Sequence, residues 1–364
     1  YQVREPFAAN FTCERENAQA PCLPIRPMAL TFNAPVPRKI AEQVRLKSDK
    51  DQIKPTFDKE DGGDDTVVTS LTFKPLLPER TSFTIEVPKE FKDASGRALR
   101  NADSFPLKVA TGAMPPLAKF AAAPFGIVER FAEPDGPPLL PITVRNVEPA
   151  LRSQVFTPGK VGDMQPKTDA EIIAWFRKVA NYNEFTVTRD TARRDVKGPL
   201  PKALPDSRGD VQTRMVSLLQ GQAGVRMLDM PKSAEGDPRP FEVVGIPLSP
   251  GFHVVEIASQ KLGTSLLDER HGPERTMYVR TTALVTNLAV HFKLGRENAI
   301  AWVTTLDKGR VVANARVRVS SCTGEEVATA VTDARGIATF KDISPEAPRC
   351  GGSEGEDWRT AYFV

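Results

Sequence analysis

The chain has 364 residues and a mass of 39.9 kDa, which exceeds one β-sandwich of about 100 residues and suits roughly two to four domains. Hydrophobic residues make up 40%, charged residues 26%, and 49 Lys+Arg nearly balance 46 Asp+Glu, which argues against a disordered chain and against a nucleic-acid-binding protein. The 32 prolines, nearly twice the usual share of about 5%, favour an all-β fold of several modules, because proline breaks helices and punctuates strands and linkers.

Residues 1–117 are predicted to form the first domain. Phe83, Ile85 and Val87 alternate with polar neighbours, which is the pattern of a strand with one buried face. An acidic run at 58–65 is interpreted as a solvated hairpin tip, with a calcium-binding loop as the alternative. Four segments of this domain together resemble a bacterial Ig-like domain: 27–37, 71–78, 82–88 and 91–99.

Residues 118–281 are predicted to form a second domain with one inserted helix near 168–180. Thr168 and Glu171 have the spacing of a capping box, in which each side chain bonds the backbone of the other residue. Four apolar residues follow at positions i, i+3, i+4 and i+7 of a helix: Ile172, Trp175, Phe176 and Val179. We expect this stripe to pack on the β-sandwich, and a partner-binding face is the alternative.

The remainder of the second domain is predicted to consist of strands joined by long loops. Polar, proline-rich stretches at 193–205 and 229–240 are interpreted as the loops. Strands are expected at 241–246 and 252–257, on either side of a Pro-Gly turn at 250–251.

Residues 282–364 are predicted to form a third domain, a small antiparallel sandwich. Residues 299–305 are apolar on both faces, and 315–320 alternate between apolar and polar side chains. The turn at 333–336 is expected to join 327–331 to 337–340 as a hairpin, with Gly336 at positive φ. The predicted fold class is therefore all-β: tandem antiparallel β-sandwich domains with one inserted helix.

Three segments of the third domain together resemble a macroglobulin-like domain of the bacterial alpha-2-macroglobulins: 285–288, 302–315 and 332–340. The resemblance implies a parent protein that inhibits proteases by entrapment: a protease cuts a bait region, the domains collapse around it, and large substrates are excluded. This chain would be the N-terminal scaffold part of that parent. Its partners would be proteases, through the full-length parent, and other periplasmic or cell-envelope proteins.

No thioester is expected in this chain. Many alpha-2-macroglobulins form one within a Cys-Gly-Glu-Gln motif, and the nearest segment here, 322–326, reads Cys-Thr-Gly-Glu-Glu. It lacks the glutamine, and a carboxylate offers no ammonia to expel. Cys322 is therefore interpreted as half of a disulfide, and no bait region is identified.

Four cysteines allow three disulfide pairings. We expect Cys13 to pair with Cys22 and Cys322 with Cys350, because the other pairings would tie the first domain to the last; four reduced thiols are the alternative. Disulfides would indicate an oxidising compartment, and the family resemblance implies the periplasm. The chain begins at Tyr1 without an apolar signal segment, so it is interpreted as part of a longer protein that an N-terminal lipid could tether.

The sequence does not predict an enzyme. Its three histidines, His253, His271 and His291, lack a recognisable nucleophile motif or phosphate-binding loop, and no metal or cofactor site is predicted. A second interpretation remains open, that of a periplasmic or cell-surface array of Ig-like domains that serves interaction or adhesion. An Arg-Gly-Asp tripeptide at 208–210 is interpreted as an exposed turn, with an integrin ligand as the alternative.

Overall fold

The structure is a computed structural model that describes residues 5–57, 66–133, 135–148, 160–204, 209–229, 242–346 and 362–364. The acidic run at 58–65 lies outside these residues, as does Arg208 of the Arg-Gly-Asp tripeptide. The chain divides into two compact units, Tyr1–Pro115 and Pro116–Val364.

The first unit is a sandwich of two antiparallel sheets. Met28, Leu30, Phe83 and Ile85 are buried between them, so the alternation predicted at 82–87 does place one face in the core. The strand orders are β1-β2-β5 and β4-β3-β6-β7. The elements are β1 (Ala9–Cys13), β2 (Met28–Pro37), α1 (Arg38–Ala41), β3 (Arg45–Lys47), β4 (Gln52–Ile53), β5 (Val67–Phe73), β6 (Ser82–Glu86) and β7 (Leu107–Ala110).

The second unit begins with a sandwich that carries three helices. The elements are β8 (Leu117–Phe120), β9 (Phe125–Glu129), β10 (Leu139–Arg145), β11 (Lys160–Met164), α2 (Asp169–Asn181), β12 (Thr186–Val187), α3 (Arg189–Asp195), β13 (Val211–Gln212), β14 (Arg226–Asp229), β15 (Glu242–Pro247), β16 (Gly251–Ser259), α4 (Gln260–Leu266) and β17 (Met277–Thr286). The two main sheets have the strand orders β15-β10-β8 and β14-β11-β16-β17-β9. We call this part the middle sandwich.

In the described part of the second unit, five further strands follow β17, and we call them the C-terminal sandwich. They are β18 (Leu288–Leu294), β19 (Asn298–Thr305), β20 (Arg316–Ser320), β21 (Glu326–Val331) and β22 (Ile337–Lys341), in the sheets β18-β19-β22 and β20-β21. Ala299, Ala301 and Val303 of β19 face Val317 and Val319 of β20 across the core.

The all-β fold class is confirmed, with three differences in detail. The helix predicted near 168–180 is α2, but α3 overlaps the predicted loop at 193–205 and α4 was not predicted. β17 runs without a break through the predicted domain boundary at 281/282 and pairs with β9 in parallel as far as Thr286. In the part of the chain described, no helix has the length and apolar character needed to cross a membrane.

The predicted hairpin at 333–336 is wrong in its pairing, although its turn is present. Gly336 has φ +76° and donates its N–H to the Asp333 carbonyl at 2.9 Å. The flanking strands, however, belong to different sheets: β21 pairs with β20, and β22 pairs with β19. The turn therefore carries the chain from one sheet of the C-terminal sandwich to the other.

Candidate functional site at helix α2 and the C-terminal sandwich

Helix α2 begins with the predicted capping box. The Thr168 hydroxyl accepts the Glu171 N–H at 3.2 Å, and the Glu171 carboxylate accepts the Thr168 N–H at 3.1 Å. Hydrogen bonds from the backbones of Thr168 and Lys167 hold the pKa of Glu171 below its ordinary value. The cap satisfies backbone donors that the first turn leaves unpaired and so fixes where the helix starts.

One face of α2 packs on the middle sandwich, as the apolar stripe predicts. Val179 is buried in a cluster that includes Phe252 of β16, and the other three residues of the stripe, Ile172, Trp175 and Phe176, pack against this cluster while partly buried. Phe176 meets Phe125 of β9 edge-to-face, with ring centroids 5.4 Å apart. The helix is therefore anchored on the five-stranded sheet.

Side chains of α2 also contact the C-terminal sandwich and the residues that bridge to it. Arg177 donates from Nη1 to the Cys322 carbonyl at 2.9 Å, and Arg318 of β20 pairs with Asp169 in the first turn at 2.9 Å. Phe176 also meets Phe363 edge-to-face, with ring centroids 5.6 Å apart. Three kinds of contact thus join one helix to the following sandwich.

Gly324 sits where the turn after β20 touches α2. It has φ +86°, and a Cβ built on it would lie 2.5 Å from the Ala170 Cα and 2.7 Å from the Ala170 Cβ. The close approach therefore requires glycine for space as well as for backbone conformation. We call this set of contacts between α2 and the 322–324 turn the α2 joint.

Two clusters of buried ionisable side chains stabilise the middle sandwich. Asp163 of β11 accepts from His253 Nδ1 at 2.7 Å and also pairs with Arg226, while His253 Nε2 lies 2.7 Å from the Ser249 carbonyl. Both ring nitrogens of His253 therefore lie within hydrogen-bond distance of an oxygen atom. Burial raises the pKa of Asp163, but the hydrogen bonds and charges of His253 and Arg226 outweigh burial and leave that pKa below its ordinary value.

The second cluster is centred on Glu256 and Arg280, on adjacent strands β16 and β17. Arg280 Nε donates to Glu256 at 3.0 Å, and Arg280 Nη2 donates to the carbonyls of Thr213 and Val216 at 3.0 and 2.6 Å. Glu256 also accepts the Leu218 N–H at 3.0 Å. The Glu256–Arg280 pair therefore provides hydrogen-bond partners for backbone groups of the 213–219 loop. This loop contributes to the cluster against which α2 packs.

The histidines do not converge. His253 is enclosed in the Asp163 cluster, His271 lines a pocket of about 470 Å³ with Arg270 and Arg275, and His291 lies 5.7 Å from the Trp302 ring on β18 and β19. The guanidinium of Arg275 is already hydrogen-bonded within the protein, because it donates to the carbonyls of Leu267, Gly272 and Thr264. No set of three or more His, Cys, Asp or Glu side chains in the described ranges is placed to hold a metal ion.

The cysteines occupy the two ends of the chain. Cys13 and Cys22 form a disulfide in the first unit, with Cα atoms 5.6 Å apart. Cys322 is also disulfide-bonded, whereas Cys350 lies outside the described residues. Cys322 is buried and lies two residues after the end of β20, so its turn is held both by a disulfide and by the hydrogen bond from Arg177.

Sequence reasoning found α2 and its packing face but missed the α2 joint. Gly324 was considered only as part of a thioester-like segment, and Arg177 and Arg318 carried no motif. A glycine after a half-buried strand indicates a turn, yet nothing near it in sequence points to Ala170, more than 150 residues earlier.

The fold and the α2 joint define a protein of tandem β-sandwich domains in which one domain is docked on the helix of another. Residues 285–362 match the family model described as the bacterial alpha-2-macroglobulin MG3 domain. Residues 285–362 are therefore similar to an MG3 domain of the bacterial alpha-2-macroglobulins, and the resemblance predicted for the third domain is confirmed over this segment. No curated protein matches the chain.

Solved structures of this family are similar to the chain at low identity. Native alpha-2-macroglobulin from Escherichia coli spanning domains MG0-NIE-MG1 has 13% identity and a TM-score of 0.42, over 88% of this chain and 87% of that one. The native conformation of the E. coli protein has 12% identity and a TM-score of 0.37, over 89% of this chain and 17% of that one. Salmonella alpha-2-macroglobulin reacted with methylamine has 13% identity and a TM-score of 0.43, over 93% of this chain and 17% of that one. These likenesses add nothing to the assignment made from residues 285–362.

Proposed function

We propose that this chain is the N-terminal scaffold part of a bacterial alpha-2-macroglobulin that inhibits proteases by entrapment. The observation that carries the proposal is the MG3 domain at 285–362, docked through the α2 joint on the sandwich that precedes it. In this role the chain has no catalytic residue. It holds its domains in order while a bait region elsewhere in the parent is cut and the parent closes around the protease.

Two features of the chain support this role. Gly324 and Ala170 approach too closely for any larger residue at 324, and the buried Glu256–Arg280 pair fixes the loop beneath α2. An array that must transmit a collapse over many domains needs joints that do not yield locally, since interfaces with discrete arrangements transmit motion better than soft ones. The proposed compartment is the periplasm, where the Cys13–Cys22 disulfide would persist, with proteases as partners of the parent.

The test is an inhibition assay on the full-length parent and on this chain alone. Each is incubated with a panel of proteases, and the remaining activity is measured on one large protein substrate and one small peptide substrate. Entrapment predicts that the parent suppresses cleavage of the large substrate only, and that this chain suppresses neither. If neither protein changes any protease's activity, the proposal fails and an interaction or adhesion array takes its place.

A further inference from the structure

The pocket of about 470 Å³ that His271 lines belongs to the middle sandwich and shares no residue with the α2 joint. Three segments form its lining: 199–202, which follows α3, the loop at 215–220, and 270–278, which leads into β17. All three belong to the second compact unit. The volume is within the range of pockets that hold small ligands, about 300–1,000 Å³.

The lining of this pocket is basic. No carboxylate is among the described residues that form it, whereas four basic side chains are: Lys202, Arg270, His271 and Arg275. Two carboxylates contact lining residues, and both have a cationic partner. Asp268 pairs with Arg270 at 2.6 Å, and Glu256, which accepts a hydrogen bond from Ser217, pairs with Arg280 at 3.0 Å. The other basic groups therefore leave the pocket with an excess of positive charge.

Arg275 is held in place by neutral groups. Its guanidinium donates to the carbonyls of Leu267, Gly272 and Thr264 at 3.0, 2.7 and 2.6 Å, and no carboxylate of the described chain pairs with it. Carbonyl dipoles orient the guanidinium but do not cancel its charge. Because a cleft lined by charges of one sign concentrates their field, Arg275 raises the positive potential inside the pocket.

Arg189 of α3 adds a buried cation beside the wall formed by 199–202. Its Nη2 donates to the carbonyl of Pro201 at 3.1 Å, and its Nη1 is buried without a hydrogen-bond partner in the described part of the chain. Buried charges are ordinarily paired. The charge of Arg189 therefore also favours an anion in the neighbouring pocket.

The rest of the lining includes an apolar surface. It is formed by Pro199, Leu200, Pro201 and Met215. Tyr278 adds no negative charge, because burial and then the charge of Glu256 raise its pKa to about 12 and its phenol stays protonated at neutral pH. A ligand that matches both kinds of surface combines an anionic group with an apolar part.

We propose that this pocket binds a carboxylate ligand with an apolar body, which is either a small free acid or the C-terminus of a peptide. Lys202 and His271 contact the carboxylate, and the apolar body packs against Leu200 and Met215. Inorganic phosphate suits the pocket less well, because it has no apolar part to cover these side chains. The inference goes beyond entrapment and does not depend on it, since all the residues that carry it lie in this chain.

The test follows the three histidines of this chain by NMR after ¹³C labelling of histidine. N-acetyl-leucine is titrated as the carboxylate probe, and N-acetyl-leucinamide is its neutral counterpart. The imidazole signal of His271 is expected to move along a saturating curve with N-acetyl-leucine. The affinity for the amide is expected to be at least about tenfold lower, because charge-assisted hydrogen bonds are about twice as strong as neutral ones. The signals of His253, which is buried in the Asp163 cluster, and of His291 on β18 are internal controls and are expected to stay in place.

Two lysine variants separate the pocket from the general charge of the chain. Lys202→Gln removes a cation from the lining and is expected to lower the affinity for N-acetyl-leucine at least about threefold. Lys341→Gln is the matched control, because it removes the same charge from an exposed position on β22, outside the pocket, and is expected to leave the affinity unchanged. His271→Gln identifies the His271 signal by its loss.

A second pair of probes distinguishes the two sources of the carboxylate. The tripeptide acetyl-Ala-Ala-Leu is titrated as the free acid and as the amide. Tighter binding of the tripeptide acid than of N-acetyl-leucine would assign the pocket to peptide C-termini, and equal or weaker binding would assign it to small free acids. Either result supports the carboxylate site, provided that the amides bind less tightly than the acids.

Three results would overturn the inference. Equal responses of His271 to acid and amide would show that no carboxylate is recognised. Equal losses of affinity in Lys202→Gln and Lys341→Gln would assign binding to the overall charge of the chain. Binding of inorganic phosphate as tight as that of N-acetyl-leucine would show that the apolar surface contributes nothing. None of these results bears on entrapment, which the inhibition assay decides separately.

Discussion

Asp163 shows how one buried charge is retained in the middle sandwich. Its side chain is fully buried, and it is held by the ring of His253 and the guanidinium of Arg226. A buried charge is tolerated when its partners satisfy it, and loss of one partner leaves the others uncompensated. The cluster thus ties three strands, β11, β14 and β16, into one register.

Asp163→Asn is expected to destabilise the second unit by about 3 kcal/mol or more at neutral pH, because it leaves His253 and Arg226 without their carboxylate. The native pKa of Asp163 lies below its ordinary value, so its contribution is present above about pH 4 and is lost as the pH falls through the native pKa. The difference in the free energy of unfolding between wild type and variant should therefore become smaller at acidic pH. Urea unfolding at several pH values measures it.

Asp190→Asn is the matched control, because Asp190 pairs with Arg193 on an exposed surface of α3. Exposed pairs contribute little, so a change below about 1 kcal/mol is expected at every pH. A stability gap for Asp163→Asn that stays constant from neutral to acidic pH would refute the role given to the carboxylate.

At the scale of elements, the α2 joint depends on a turn that fits closely against a helix. A residue with a Cβ at position 324 would press on the backbone of Ala170, and backbone yields less readily than the end of a flexible side chain. The turn is also held by Arg177 and by the disulfide of Cys322. A small change at 324 should therefore loosen the contact between α2 and the C-terminal sandwich.

Gly324→Ala is expected to destabilise the second unit by at least about 1 kcal/mol more than Gly309→Ala. Both glycines have positive φ, at +86° and +63°, so both variants carry the same kind of backbone strain. A Cβ at 309 meets no atom within 4 Å, whereas one at 324 collides with Ala170. Thermal unfolding gives the difference, and faster amide exchange in the first turn of α2 should accompany it for Gly324→Ala alone. Equal destabilisation by the two substitutions would contradict the role given to the α2 joint.

Local signals in the sequence identified some elements and not others. Thr168 and Glu171 predicted the start of α2, because a capping box lies within four residues. Helix α3 was missed because its sequence, Arg-Asp-Thr-Ala-Arg-Arg-Asp, buries one residue, Ala192, and has no apolar stripe. Helix α4 was missed because it contains Gly263, whose Cβ would lie 1.9 Å from the Arg275 carbonyl oxygen; this requirement arises from tertiary packing.

The pairing of strands was the least predictable part. β21 and β22 are separated by a clear turn, yet each pairs with a strand of a different sheet. β9 and β17 pair in parallel across about 150 residues of chain, and no local pattern encodes a partner at that distance. The α2 joint was missed for the same reason, since Gly324 and Ala170 come together only after both sandwiches have formed.

At the scale of the whole molecule, the two compact units have separate cores and separate disulfides. The first unit buries Cys22 beside β1 and β2, and its bond to Cys13 closes a short loop. Cys322 lies in the second unit, beside the α2 joint. Effects of substitutions far apart and without shared partners usually add, so each unit should respond to its own substitutions.

The double variant Cys13→Ser with Cys22→Ser is expected to lower the stability of residues 1–115 by about 2–3 kcal/mol, the loop entropy that so short a disulfide removes from the unfolded chain. The unfolding transition of residues 116–364 should keep its midpoint. Calorimetry, with hydrogen exchange to assign each transition, tests this. The substitution is preferred to a reducing agent, which would also reach Cys322, and a joint shift of both transitions would contradict the prediction.

The junction between β17 and β18 has a consequence for how this protein can be rearranged over evolution. Asn287 alone separates the two strands, and it accepts the N–H groups of Leu306 and Asp307 at 2.8 and 3.1 Å. A crossover between genes at this point would fall between two strands that pair in different sheets, β17 with β16 and β9, and β18 with β19, and beside a residue that is hydrogen-bonded to the turn after β19. The middle and C-terminal sandwiches should therefore be inherited together, and an exchange of modules that leaves both halves folded would have to cut the gene elsewhere.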